Sequence, residues 1–241
     1  MKGLLIALQF MTRLPGPRLT VSDAEFSASM RWFPAVGGVI GAIVAGASWL
    51  GAHVDAWTGA LAGLVVWVGV TGALHLDGLA DIADAAGAAH KGPGRVREVL
   101  ADPHLGSFGT SALVLQALAK LVLLHALIVQ GVLLPLIAVP FAARIGPLVW
   151  TRTMTPLHAG LGARFAGVIR PVDLALWGLA LLGAAWFAPG LLATVPAIAL
   201  WRRWILRRIG GISGDGMGAG IELVESLLLL ALCIGAIGAL R

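Results

Sequence analysis

The stretch His75-Leu76-Asp77-Gly78-Leu79-Ala80-Asp81-Ile82-Ala83-Asp84 spaces its aspartates at i, i+4 and i+7. At 3.6 residues per turn, a helix here puts all three carboxylates on one face. Like charges so placed repel by roughly a few tenths of a kcal/mol per pair in water, and by far more at a membrane boundary. A cation is expected to neutralise them. Oxygen donors without cysteine suit a hard divalent ion, and Mg²⁺ typically keeps several waters while it bridges carboxylates to substrate phosphates. Asp77, Asp81 and Asp84 are therefore candidate metal ligands, and the chemistry they point to is phosphoryl transfer. A solvated polar helix face is the plain alternative.

A second cluster reads Gly210-Gly211-Ile212-Ser213-Gly214-Asp215-Gly216-Met217-Gly218-Ala219. Its glycines permit tight turns and close approach of a ligand, and free N–H groups at a helix start attract anions. With Ser213-Gly214 as the cap region, Glu222 and Glu225 follow within reach of a site near the interface. An ordinary turn between two helices would look the same. Between the clusters lies Asp102-Pro103-His104-Leu105-Gly106-Ser107, whose Asp, His and Ser suit contact with a polar ligand as well as a plain loop leading into a helix. Lys120 and Arg144 sit inside apolar runs. Buried cations in a bilayer are costly and are paired or face a cavity, so both are candidates to hold acids or phosphates, with snorkelling an alternative for Arg144. His53, His125 and His158 have no ligand-like company and read as structural.

The elements that must position these groups belong to a membrane. Of 241 residues, 59% are hydrophobic and only 12% charged. Counting the 33 glycines, the apolar share is roughly 73%, against about 45–50% in soluble domains. Mean hydropathy is +0.92. A soluble enzyme, a disordered chain, a collagen-like repeat and a disulfide scaffold are all excluded, and the lone Cys233 reads as a packing residue. The pattern predicts an all-α polytopic protein, one membrane domain over 1–241, with spans near 32–52, 57–76, 109–130, 131–151, 173–188, 190–206 and 219–240. That makes seven crossings, or six if the fifth and sixth form a hairpin at Ala188-Pro189-Gly190. The N-terminal apolar run, interrupted by Arg13, Pro15 and Pro17, reads as a retained interfacial or re-entrant helix.

Seven crossings put Arg13, Arg18 and Arg31, then Lys91, Arg95 and Arg97, then Arg152, Arg164 and Arg170, then Arg202, Arg203, Arg207 and Arg208 on one side. The opposite loops, around His53-Val54-Asp55 and Gln130-Gly131, have no Lys or Arg. The positive-inside bias makes the N-terminus and the loops 77–108, 152–172 and 207–218 cytoplasmic, with only Arg241 outside. Loop asymmetry thus accounts for the net charge of +5 without nucleic acid. Most of the nine tryptophans fall near span ends and read as interfacial anchors.

Several ordered motifs resemble the adenosylcobinamide-GDP ribazoletransferase family, also called cobalamin synthase. They are Leu8-Gln9-Phe10-Met11-Thr12-Arg13-Leu14-Pro15, Arg31-Trp32-Phe33-Pro34-Ala35-Val36-Gly37, the run from Thr71 to Ala85, Asp102-Pro103-His104-Leu105-Gly106-Ser107-Phe108-Gly109, and Gly210 to Ala219 followed by Glu222. The resemblance covers nearly the whole chain. It implies that adenosylcobinamide-GDP and α-ribazole, or its 5′-phosphate, are joined to release GMP, with Mg²⁺, at the bacterial inner membrane. It also implies that Asp77, Asp81 and Asp84 serve the metal and diphosphate, with Asp215 a further ligand and Asp81 the most sensitive. Asp81, Asp77 and His75 are the catalytic candidates, the proton acceptor being left open among an Asp, Glu222 and His75. Lys120, Asp102, His104, Ser107, Arg144, Gly214 and Glu222 are the substrate-binding candidates. Departures from the family pattern are Ala73 where glycine is frequent, Lys91 in a shortened stretch and Ser213 where threonine is usual. A CDP-alcohol phosphotransferase is the nearest alternative, but its Ala-Arg pair after Asp-Gly and its fourth spaced Asp are missing. A cation-coupled transporter would want acids at mid-membrane and repeated halves. Self-association and docking of neighbouring biosynthetic enzymes are left open.

Overall fold

In a computed structural model, which describes residues 2–239, the chain is a bundle of thirteen α-helices, with no strand among the described residues. In order they are α1 (Lys2–Met11), α2 (Asp23–Ser29), α3 (Phe33–Ala52), α4 (Ala56–Thr71), α5 (Leu74–Ala88), α6 (Pro93–Ala101), α7 (Ser107–Val129), α8 (Ala138–Ala143), α9 (Ile145–Thr153), α10 (Leu161–Phe165), α11 (Pro171–Phe187), α12 (Thr194–Arg208) and α13 (Gly214–Ala239). Arg241, expected outside, lies beyond the described residues.

Local chemistry sets the ends of these helices. Ser22 and Glu25 form a capping box at α2, and Asp55 caps α4 by accepting from the N–H groups of Trp57 and Thr58 at 2.8 and 3.0 Å. Ser213 caps α13, its hydroxyl accepting the Gly216 N–H at 3.0 Å. α13 is the axis of the bundle, packed against α5, α7, α8, α9 and α12. At one end α1 folds onto α2 and α3, and Phe10 stacks on Phe33 at 5.9 Å and meets Phe26 edge-on at 5.1 Å.

Four segments are long and apolar enough to cross a bilayer: Asp23–Ala52, Ser107–Val129, Leu134–Thr153 and Gly214–Ala236. The expected second crossing, 57–76, is not one straight helix. α4 stops at Thr71, Gly72 and Ala73 both take left-handed backbone (φ 60°), and α5 leaves at 86° to α4. Counted together, α4 and α5 make a fifth span. The expected fifth and sixth crossings are short: α11 has 17 residues, and 190–206 divides into a 3₁₀ turn, Pro189–Ala193, and the 15-residue α12. At 1.5 Å per residue they extend about 26 and 22 Å, against a hydrocarbon core of about 30 Å. Seven helices of full spanning length are therefore not present among the described residues. Trp67 and Trp150 depart from the interfacial pattern, being buried in the core.

Ala73 holds a left-handed conformation that costs a residue with a Cβ about 1–2 kcal/mol. Ala73→Gly is expected to raise the stability of the detergent-solubilised protein by about 1 kcal/mol, seen as a higher Tm.

Candidate active site

The turn at Gly72–Ala73 lays α5 against the start of α13, and glycine lets the two helices touch. A Cβ on Gly78 would stand 2.8 Å from the Cα and carbonyl oxygen of Asp215, and one on Gly218 would stand 3.3 Å from the His75 Cα. This contact brings together two of the sequence-selected acids, 138 positions apart in the chain. Asp77 and Asp215 line one cavity of about 80 Å³, with Gly214 and the side chains of Phe10, Phe33 and Phe165. Asp77 is exposed and Asp81 half-buried. Asp81 stands in the electrostatic field of Asp215, Asp77 and Asp84 together. Asp215 is in the first turn of α13, where the helix dipole favours a negative charge. The glycine-rich loop before it is pinned in place. Ile212 exchanges backbone hydrogen bonds with Thr155 and Leu157, at 3.0 and 2.9 Å.

Asp84 has a distinct task. Its Oδ2 accepts the Gly106 N–H at 2.8 Å and its Oδ1 the Gly109 N–H at 2.9 Å, so it staples the start of α7 to α5. The loop from Asp102 to Ser107 is held beside the acidic helix by this pair of bonds. Asp102 Oδ1 accepts both the backbone N–H of His104, at 3.0 Å, and its ring Nδ1–H, at 2.7 Å. These bonds hold the Asp102 carboxyl below the ordinary carboxylate range. Asp102, His104 and Ser107 are all exposed.

Lys120, Arg144, Glu222 and His75 are placed elsewhere, inside the bundle. Lys120 Nζ lies 2.7 Å from Glu222 Oε2 and 2.6 Å from Glu225 Oε2, and 4.2 Å from the centre of the Trp67 ring. Arg144 donates to Glu225 Oε1 at 2.8 Å and to the Pro140 carbonyl at 3.0 Å. Its other amino group meets His75 Nδ1 at 3.3 Å. A guanidinium only donates, so this His75 nitrogen accepts and the ring is neutral. Gln116 completes the set with bonds to the Glu222 carboxylate and carbonyl at 2.8 and 2.9 Å. Every member is buried, and the two cations balance the two carboxylates. The acids these cations hold are thus the protein's own. Gln116 and Trp67 were not singled out from sequence. The only signal was that Gln116 and Lys120 stand at i, i+4 on α7 and Glu222 and Glu225 at i, i+3 on α13, each pair on one face.

Among the described residues no three Asp, Glu, His or Cys side chains converge into a preformed metal-binding group. Mg²⁺ seldom needs one, since it is usually held by one or two carboxylates with waters and substrate phosphates completing the shell. The facing pair Asp77 and Asp215, with Asp81 one turn along α5, fits that donor set.

Fold and site together define a polytopic helical membrane protein with a carboxylate-lined cavity at one end of its bundle. A family model described as cobalamin-5-phosphate synthase matches residues 3–233, and the chain belongs to that family. It is 63% identical over 239 residues to the adenosylcobinamide-GDP ribazoletransferase of Novosphingobium aromaticivorans, with 97% of each chain covered. The enzymes of the same name from Thiobacillus denitrificans and Pseudomonas aeruginosa are 49% and 38% identical, covering 95% and 97% of this chain and 94% and 98% of theirs. No solved structure matches the chain.

Glu225→Gln removes one of two buried anions facing two buried cations. The expected cost is about 3–5 kcal/mol, measured as a collapse of Tm and of the monodisperse peak in detergent. Asp84→Ala forfeits two charge-assisted hydrogen bonds, each worth about 1.5–3 kcal/mol. It is expected to leave the bundle folded and to speed proteolysis between residues 102 and 106.

Proposed function

We propose that the chain joins adenosylcobinamide-GDP to α-ribazole or its 5′-phosphate, giving adenosylcobalamin or its 5′-phosphate and GMP. The family description and the names of the relatives support the substrates. The observation that carries the chemistry is the meeting of the acidic face of α5 with Asp215 at the Gly78 contact. In the reaction the acceptor hydroxyl oxygen bonds to the phosphorus on the cobinamide side of the diphosphate. The bridging P–O bond breaks, GMP leaves with the electron pair, and the hydroxyl proton passes to a base. Such transfers depend on positioning and on neutralising charge.

Asp77, Asp81 and Asp215 would hold Mg²⁺, which when bound neutralises the diphosphate and the departing GMP. Asp77 and Asp81 aim the donor from one helix face, and the N–H groups opening α13 at Gly214 offer hydrogen bonds to phosphate oxygens. Arg13, packed over Gly72 at the head of α5, adds a cation for a polyanionic substrate. Asp102 and Ser107 border the same end of the bundle on the loop that Asp84 holds. Lys120, Arg144 and Glu222 act from within, by fixing α13 against α7 and α9.

In this reading the site faces the cytoplasm from a bacterial inner membrane. Contacts among the basic segments support one common side for them. Arg31 donates to the Val168 carbonyl, Arg152 to that of Ile169 and Arg202 to that of Thr153, while Arg164 pairs with Asp23.

The test is GMP release from adenosylcobinamide-GDP and α-ribazole by the purified protein in lipid vesicles. Product is expected only with Mg²⁺, and Asp81→Ala is expected to lower kcat/KM by about 10²-fold or more with an unchanged Tm. Undiminished product in chelator, or in Asp81→Ala, would overturn the metal reading.

A further inference from the structure

We propose that His104, oriented by Asp102, is the general base that takes the proton of the attacking hydroxyl. The inference rests on the reaction proposed above. Burial removes two of the bases that sequence left open. Glu222 is spent on Lys120 and Gln116, and His75 is buried with its Nδ1 facing Arg144. In the reading above Asp77, Asp81 and Asp215 would hold the cation of the diphosphate, and Asp84 is bonded to Gly106 and Gly109. His104 is differently placed. Its Nδ1 donates to Asp102 Oδ1 at 2.7 Å, and the ring is 88% exposed, so Nε2 carries a free lone pair toward solvent. A carboxylate on one ring nitrogen fixes the tautomer in which the other is the base, the relation that orients a catalytic histidine.

The loop that carries this dyad is anchored to α5, the helix that also carries Asp77 and Asp81. Gly106 and Gly109 are bonded to Asp84, one turn beyond Asp81 on the same helix face. Two residues of chain span at most about 7 Å, so His104 cannot stray far from the anchored Gly106. The charged groups around it are Asp102, Arg95 of α6, which acts on Asp102 while pairing with Glu98, and Asp84 through Gly106. His158 is the rival, near enough to act on Asp215, but its ring has no hydrogen-bonded carboxylate among the described residues. His53 and His90 are turned onto the carbonyls of Trp49 and Gly87, and His125 stacks on Trp57. In the proposed step Nε2 accepts the hydroxyl proton as the new O–P bond forms, and GMP departs with the electrons of the broken bridge.

The experiment compares pH profiles of kcat/KM for GMP release by the vesicle-embedded wild type, His104→Asn, His104→Gly, Asp102→Asn and His158→Asn. A base works only when deprotonated, so the wild type loses rate on the acid side. His104→Asn is expected to lower kcat by about 10²-fold or more, leave KM and Tm in place and abolish that acid limb. Added imidazole is expected to restore His104→Gly. Asp102→Asn is expected to lower kcat with KM kept, and His158→Asn to behave as wild type. A loss confined to KM, an acid limb that survives in His104→Asn, or the same loss in His158→Asn would overturn the assignment. The Mg²⁺ requirement belongs to the reading above and is scored separately, in Asp81→Ala.

Discussion

A buried quartet of charges holds the bundle in one arrangement. Lys120 and Arg144 share the carboxylates of Glu222 and Glu225 where neither water nor lipid can stand in for a missing partner. Desolvating each ion costs several kcal/mol, and the cost is offset only while the geometry stays close and the remaining polar atoms find partners. Gln116, the Pro140 carbonyl and the Trp67 face supply partners for Glu222, Arg144 and Lys120, while Arg144 Nε is buried without one among the described residues. Sliding α13 by one residue would turn both glutamates away from their cations. Apolar packing alone discriminates poorly between such registers, because lipid and leucine are equally oily.

The site inherits its geometry from that register. Glu222 is one turn beyond Gly218, and Gly218 is the residue against which His75 packs. His75 in turn meets Arg144 and lies two residues before Asp77. Anchoring α13 therefore also sets how far Asp77 stands from Asp215. The abrupt turn at Gly72 and Ala73 does the rest, sending α5 away from α4 at 86° and laying its backbone against the start of α13. A straight continuation of α4 would have carried the aspartates past Asp215.

Asp84 extends this logic to the loop ahead of α7. One carboxylate spent on two backbone N–H groups satisfies donors that a helix start leaves unpaired and ties a flexible segment to a rigid one. A polar loop at a site of this kind must admit large substrates and still return to one position. Anchoring it at Gly106 and Gly109 on one side and, through the Asp102 N–H on the Val99 carbonyl, to the end of α6 on the other sets that position.

Composition and periodicity by themselves determined that the chain is helical and membrane-embedded, because burial in lipid demands apolar residues over whole spans and leaves charge only where it has work. The scarcity of acids also made Asp77, Asp81, Asp84 and Asp215 visible, and Ser213 was legible as a cap from its place before the helix. The division of labour among the charged residues was not legible. Lys120, Arg144 and Glu222 look in sequence like groups awaiting a ligand, and only the packing of α7, α9 and α13 shows that they await one another. Asp84 shares its spacing with Asp77 and Asp81, yet its neighbours in space are the N–H groups of a helix more than twenty residues away. The bend within the second expected span was not legible either, since a left-handed alanine is a fact of backbone conformation that hydropathy averages away. Sequence records which groups are costly to bury; the tertiary contacts alone decide which partner offsets each cost.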